Sequence, residues 1–384
     1  MFHVKSGFGA GVGAVAAAVL AAGPAAAAGG WTVVSVPPAG QRAILSSVSA
    51  ASGTSAWAVG HTVNSGGYPG PLADHWNGTS WQQTTVPNNG SSINKISLSA
   101  VSAATATDAW TVGISYTQQQ YQHPLAYHWD GKAWTQISTN TDGASFSGQL
   151  GVADIGTGNA WAVGYGLEHW NGTSWTQLAY PDPENPGALT TNALVEYGSL
   201  TAISADAAND IWVVGFYNDP NQCNSQCRGP EETFSLHWNG TSWDEVPMPP
   251  VDNSTYLEYK VNSIDAISPS DVWAVGYTSD LHNVDSTLIE HWNGTSWSVM
   301  PAPPAAPAAL TGVTSSSSGG VWAVGGSAIL FWNGTSWTTV SGADPSSSSV
   351  LYGVSTRPGA APTWAVGANF VSGSGFTPFV LENG

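Results

Sequence analysis

His291-Trp292-Asn293-Gly294-Thr295-Ser296-Trp297 decides the fold, because the chain keeps repeating it. Near-identical copies run from His75 to Trp81, His169 to Trp175 and His237 to Trp243. Looser copies run from His128 to Trp134 and from Phe331 to Trp337. Asn-Gly between apolar, β-prone residues is a strong hairpin signal. The turn is either a two-residue Asn-Gly turn or a four-residue loop. Either register puts Trp292 and Trp297 on one sheet face.

A second signature precedes each hairpin. Trp-Ala-Val-Gly or a close variant starts at Trp57, Trp110, Trp161, Trp212, Trp273, Trp322 and Trp364. A third pattern, an apolar strand such as Leu200-Thr-Ala-Ile-Ser204, lies before each of those. Every unit therefore reads as four strands, a to d: the apolar strand, the Trp-Ala-Val-Gly strand, the strand ending in His-Trp, and the strand opened by the next Trp. Seven such units at a period near fifty predict an all-β fold, a seven-bladed β-propeller of four-stranded antiparallel blades. Blades packed face to face bury both sides of a strand, which explains the unbroken apolar run Val272 to Val275.

The chain has 20 Trp. The repeat places every one except Trp31, and Trp31-Thr-Val-Val-Ser-Val-Pro37 reads as a d strand. The last unit lacks a d strand, since the chain stops inside an Asn-Gly turn at Gly384. The expectation is a ring closed by residues 31–37 joining the C-terminal blade, which leaves no open sheet edge. One domain then spans 29–384, with repeat units at 43–86, 95–138, 148–180, 199–247, 261–301, 309–341 and 350–384.

Trp322-Ala-Val-Gly-Gly326 followed by Trp337, and Trp297-Ser-Val-Met-Pro301, resemble a kelch repeat. The resemblance covers nearly the whole chain after residue 28. It implies a propeller related to kelch proteins and to the central domain of galactose oxidase. The units depart from that pattern in three ways. The Gly-Gly doublet is clear only after Trp322, Trp replaces the usual c-strand Tyr, and the trailing Arg is absent. The Gly-x-x-Trp of the hairpins is also similar to the sialidase Asp-box, with Trp where that motif wants Asp.

Net charge is −18, with 7 Lys and Arg in 384 residues. So few cations build no phosphate-tracking surface, which argues against nucleic acid and against anionic membranes. Residues 1–28 read as an export signal: Lys5 in a thin positive start, an apolar stretch from Gly7 to Ala22, and an Ala26-Ala27-Ala28 cleavage site. No later stretch is a candidate membrane span. A secreted, monomeric protein is expected. In that setting Cys223 and Cys227 are expected to form a local disulfide.

Five His end c strands, each in a different blade, so they are too far apart for one metal ion. A Ser, Asp or Asn stands two residues before the b-strand Trp in those same units: Ser55 with His75, Asp108 with His128, Asn159 with His169, Asp210 with His237, Asp271 with His291. The unit with Gly320 has Phe331 instead of His, and the last unit has Pro362 and Leu381. These are expected to be structural hydrogen-bond pairs around a buried imidazole. The Asn-Gly-Thr runs match the N-glycosylation pattern, but the turn accounts for the same letters.

A copper radical site like that of galactose oxidase needs a Cys that both cysteines here are better spent on each other to supply. The alternative of a polysaccharide-active hydrolase or lyase, sialidase-like or other, has only Arg42, Arg228 and Arg357 to draw on. No catalytic residue is assigned, and no cofactor is required. The expected function is a binding or scaffold module for a protein or glycan. Its surface is placed on the b–c and d–a loops, whose length varies while the a–b and c–d turns stay short. The ligand-binding candidates are Glu184, Glu196, Tyr217, Asp219, Glu231, Glu232, Tyr256, Glu258, Tyr259 and Asp280. So many carboxylates repel one another unless a cation relieves them, so a Ca²⁺-type ion or a basic segment is a candidate ligand. Solvated loops are the plain alternative.

Overall fold

The computed structural model describes residues 30–39, 42–64, 66–88, 95–116, 122–139, 150–156, 158–164, 166–183, 185–191, 199–218, 231–250, 256–304, 306–316, 319–340, 348–356, 362–372 and 375–384. The export stretch, Glu184, Glu196, Asp219, the Cys223–Cys227 pair, Arg228 and Arg357 lie outside the described residues. Among the described residues there is no helix, hence none long and apolar enough to cross a membrane.

Seven four-stranded antiparallel sheets make the blades. The first runs through Ala43–Ser52, Ser55–Val63, Pro69–Trp76 and Trp81–Gln83. The fifth, with the longest inner strand, runs through Tyr256–Ser268, Asp271–Asp280, Asp285–Trp292 and Trp297–Val299. The ring closes as expected. Thr32–Val34 pairs with Gly375–Asn383, Val33 opposite Leu381, and completes the seventh blade. Trp31 is 3% exposed and meets Trp322 of the sixth blade edge-on at 5.2 Å.

The hairpin turn is the four-residue loop. Trp292 pairs directly with Trp297, and Asn293 N–H donates to Ser296 O at 3.3 Å. The Asn293 side chain accepts from the Thr295 and Ser296 amides at 2.9 and 3.0 Å, and Gly294 takes φ 90°. That geometry requires the Asn, the Gly and two free amides, and explains the recurrent letters without a glycan.

Tryptophan forms the outer part of every seam between blades. Trp57 of the first blade lies 4.8 Å from both Trp129 and Trp134 of the second. Trp273 lies 5.2 Å from Trp332 and 5.4 Å from Trp337 one seam further round. Trp364 of the last blade meets Trp76 and Trp81 of the first, which carries the pattern across the closure. Edge-to-face pairs of this kind add about 0.5–1.5 kcal/mol beyond the area they bury.

Nearer the axis the seams are polar. Ser49 Oγ accepts from the Ala103 amide of the next blade at 3.0 Å. Ser102 does the same for Asp154, Ser204 for Ala266, Asp265 for Ser315, Thr314 for Thr356, and Ser355 for Ala50. Each acceptor stands opposite its own b-strand Trp. Only the third blade breaks the belt, with Ala153 opposite Trp161. The inner strands surround a channel of about 280 Å³. Its hydroxyls are largely spent on these seams.

The Gly of Trp-Ala-Val-Gly has a packing reason. The inner strand bulges between Leu45 and Ser47, and a Cβ on Gly60 would sit 2.0 Å from Ile44 O. The same bulge faces Gly276, where a Cβ would lie 1.8 Å from Lys260 O. A bulge beside glycine bends the strand and brings the backbones close.

Candidate binding face

All five His pairs form. Nε2 of His75 lies 3.0 Å from Ser55 Oγ. The distances are 2.8 Å for His128 with Asp108, 2.9 Å for His169 with Asn159, 2.7 Å for His237 with Asp210 and 2.9 Å for His291 with Asp271. Each imidazole also lies against its b-strand Trp, Trp273 and His291 at 4.2 Å and 26°. Two details differ from the sequence reading. The rings are half-buried rather than buried, because they sit at the turn end of the blade. And the register puts Glu382, not Leu381, opposite Trp364. These pairs brace the blade; they converge on no common point.

The a–b and c–d turns share one face: a Cβ on Gly78 would lie 3.2 Å from Thr54, and one on Gly294 would lie 2.8 Å from Ser270. That face is less uniform than the sequence implied. In the sixth blade Gly319 and Gly320 replace side chains, and a groove of about 690 Å³ opens there beside Asp271, His291 and Trp332.

On the opposite face, several residues expected in loops belong to strands. Tyr217 lies in Asp210–Asn218, Glu231 and Glu232 in Glu231–Trp238, and Tyr256, Glu258 and Tyr259 in Tyr256–Ser268. Asp280 ends Asp271–Asp280. The strands run on past the blade because their β-prone residues stay paired, Tyr217 with Glu232 and Tyr259 with Thr278. The side chains of Tyr217, Glu231, Glu232, Glu258, Tyr259 and Asp280 are consequently held on strands and half-buried.

The structure brings part of the candidate set together. Lys260 Nζ lies 3.2 Å from Glu231 and 3.7 Å from Glu258. Tyr217 Oη donates to Glu232 at 3.0 Å, and Tyr277 Oη to Glu258 at 3.2 Å. Lys260 also lies 5.1 Å from the ring centre of Phe216. Burial weighs most, against its ammonium, yet Glu231, Tyr277 and Glu258 together hold the pKa above the ordinary lysine value. Burial likewise raises Glu231. The repulsion among these acids is thus relieved within the chain, by a lysine the sequence reading passed over. Asp280 is taken up elsewhere: its Oδ1 caps a turn through the His282 and Val284 amides, which lower its pKa. Among the described residues no three His, Cys, Asp or Glu side chains converge as a metal site needs.

Sequence reasoning also missed buried acids one residue before the c-strand His. Asp74, Glu168 and Glu290 are at most 1% exposed. Burial raises Asp74 to about 7 and Glu290 to about 8. Only the alternation of the c strand marks them, since Asp74 shares a face with Trp76.

No family model and no curated protein matches the sequence. Solved structures do match in fold. The structure of YCF48 bound to D1 peptide is 15% identical over 96% of this chain and 99% of that one, with a TM-score of 0.56. The WD40 β-propeller domain of Doa1 is 9% identical over 92% and 96%, at 0.52. The extracellular domain of the two component system BT4673 from B. thetaiotaomicron is 13% identical, over 92% of this chain and 39% of that one, at 0.54. At such identities the likeness is one of fold, and the fold is the seven-bladed β-propeller.

Proposed function

We propose that the protein is an exported binding or scaffold module that recognises a protein or glycan through the face bearing its b–c and d–a connections. The observation that carries this reading is the group of Tyr217, Glu232, Glu231, Glu258, Lys260 and Tyr277. It sets aromatic hydroxyls and carboxylates side by side at the seam between the fourth and fifth blades, on strands that hold them still. Pre-organised polar and aromatic side chains on a rigid scaffold suit recognition. YCF48, of like fold, was solved with a peptide bound. Export is supported by the character of residues 1–28, and kelch kinship by Trp322-Ala-Val-Gly-Gly326. Glu184, Glu196 and Asp219 lie outside the described residues, and to these acids we assign a Ca²⁺-type ion or a basic segment as ligand.

The test is a glycan array and a surface-protein pull-down with the protein and with Tyr217→Ala/Glu232→Gln. A captured ligand that the double variant loses by tenfold or more supports the reading. Capture that the variant leaves unchanged would move the site elsewhere. Calorimetry with CaCl2 reads the ion: heat and a chelator-reversible thermal shift are expected, and a flat titration removes the ion from the proposal.

A further inference from the structure

Three of the four Lys and Arg among the described residues stand at seams on the b–c face: Arg42 just before Ala43–Ser52, Lys95 at the start of Lys95–Thr105, and Lys260 within Tyr256–Ser268. Two are engaged. Lys95 Nζ lies 4.6 Å from the centre of the Tyr68 ring on the preceding blade. Lys260 is held by Glu231. Arg42 occupies at the first blade the place Lys95 has at the second, three residues ahead of the Leu that faces the strand's Gly. It is exposed, and its guanidinium makes no hydrogen bond or ion pair with another described residue.

Beside Arg42 lies a pocket of about 390 Å³ between Ile44 and Val63 of the first blade and Phe370 and Phe376 of the seventh. The two Phe pair across their hairpin, ring centres 5.6 Å apart, yet stay 53% and 38% exposed. Exposed aromatic pairs beside a concave apolar site mark binding surfaces. Of the side chains lining this one, only that of Arg42 is polar. A sugar would find no acceptors for its hydroxyls there. A polyanion would meet one cation on a molecule of charge −18. What fits is a small apolar group with a single carboxylate next to it.

We infer that this pocket binds a peptide segment of a partner protein, taking one or two apolar side chains between the Phe370–Phe376 pair and Ile44 and Val63 while Arg42 pairs with an adjacent carboxylate. An Arg fork matches a carboxylate in two parallel hydrogen bonds, and Phe faces supply apolar area at low entropy cost. The carboxylate is either a chain terminus or an Asp or Glu side chain. The inference rests on the binding-module reading but uses a different seam, so the two fail separately.

The probes are three acetylated pentapeptides, titrated by calorimetry into the purified protein. One is Gly-Ser-Gly-Ile-Leu with a free C-terminal carboxylate; the second is its amide; the third is an amide with Glu beside the apolar pair. The free acid or the Glu peptide is expected to bind at least tenfold more tightly than the plain amide, and which of them does so identifies the carboxylate's source. Arg42→Gln should remove that preference, and Phe376→Ser should weaken all three peptides. Lys132→Met, in an exposed turn on the opposite face, should change none. Equal binding of all three peptides, or an Arg42→Gln protein that keeps the preference, would overturn the assignment. So would a dimer that Phe376→Ser abolishes in the absence of peptide binding, which would give the pocket to a second copy. Binding seen only after removal of residues 1–29 would also overturn it, because the chain's own apolar stretch would be the occupant.

Discussion

Asp271 uses one oxygen twice: Oδ1 accepts from Trp273 Nε1 at 2.8 Å and lies 2.9 Å from His291 Nε2. The sixth blade shows what replaces this arrangement. Phe331 stands where His291 would, and a Cβ on Gly320 would fall 2.7 Å from its ring. The glycine makes room for the phenyl ring and for the Trp332 carbonyl oxygen, which a Cβ would approach to 2.5 Å. This pairing was legible in the sequence because seven internal copies let two positions be compared, so His and its partner appear and disappear together. Asp271→Gly alone should cost about 1 kcal/mol, the lower end for a lost hydrogen bond, since Asp271 is 44% exposed. His291→Phe alone sets the ring against the Asp271 side chain. The double variant should lose less than the sum of the two, by at least about 0.5 kcal/mol in urea denaturation. Additive losses would mean the two residues act apart.

Thr32–Val34 is a three-residue strand that joins the two ends of a 384-residue chain. The Trp census made this closure legible, because every other Trp had a place. Deleting residues 30–37 removes Trp31 from under Trp322 and uncovers the Gly375–Asn383 edge. Loss of a buried aromatic alone costs about 3–5 kcal/mol, so melting should fall by several degrees and aggregation should rise. A truncated protein that melts like its parent would show that the strand is dispensable. The polar belt of the inner strands was not legible, since Ser and Thr opposite Trp look like any small strand residues. It matters because it adds a hydrogen bond between neighbouring blades at every seam but one. At Ala153 the belt has its gap, and Ala153→Ser should fill it and stabilise by about 0.5–1 kcal/mol, read as a higher urea midpoint at unchanged slope. A lower midpoint would show that the seam between the third and fourth blades is packed around the missing hydroxyl. The strand extensions at Tyr217 and Glu258 were missed for a related reason: variable length looks like loop until pairing is seen.

The ring as a whole carries its titrating groups in two opposed sets. Burial raises Asp74 to about 7 and Glu290 to about 8, and raises the channel-lining Asp265 and the neighbouring Asp154 to about 6. An unfolded carboxyl titrates near about 4. Between about 4 and these raised values the unfolded chain sheds protons that the folded ring keeps, so stability falls as pH rises and levels off above about 8. Burial lowers His61, His75 and His169, and those groups act the other way. Their unfolded forms take up protons below about 6.5, so this contribution is lost as pH drops below that value. For Asp74 alone the step from 3.8 to about 7 corresponds to a few kcal/mol at most, at about 1.36 kcal/mol per unit. These four carboxyls outnumber the three imidazoles, so between about pH 4 and 6 their effect wins and the optimum should lie well below neutrality, toward about pH 4. Acidification also lowers the self-repulsion of the −18 charge, in the same direction. Asp74→Asn separates the two effects. It keeps the size and neutrality of the protonated acid but cannot ionise, and one charge in 18 hardly alters the global field. The variant should match its parent near pH 4.5, exceed it in melting temperature at pH 8, and show a shallower decline between. Melting curves of the two proteins that run parallel from pH 4.5 to 8 would show that Asp74 does not carry its proton in the folded ring.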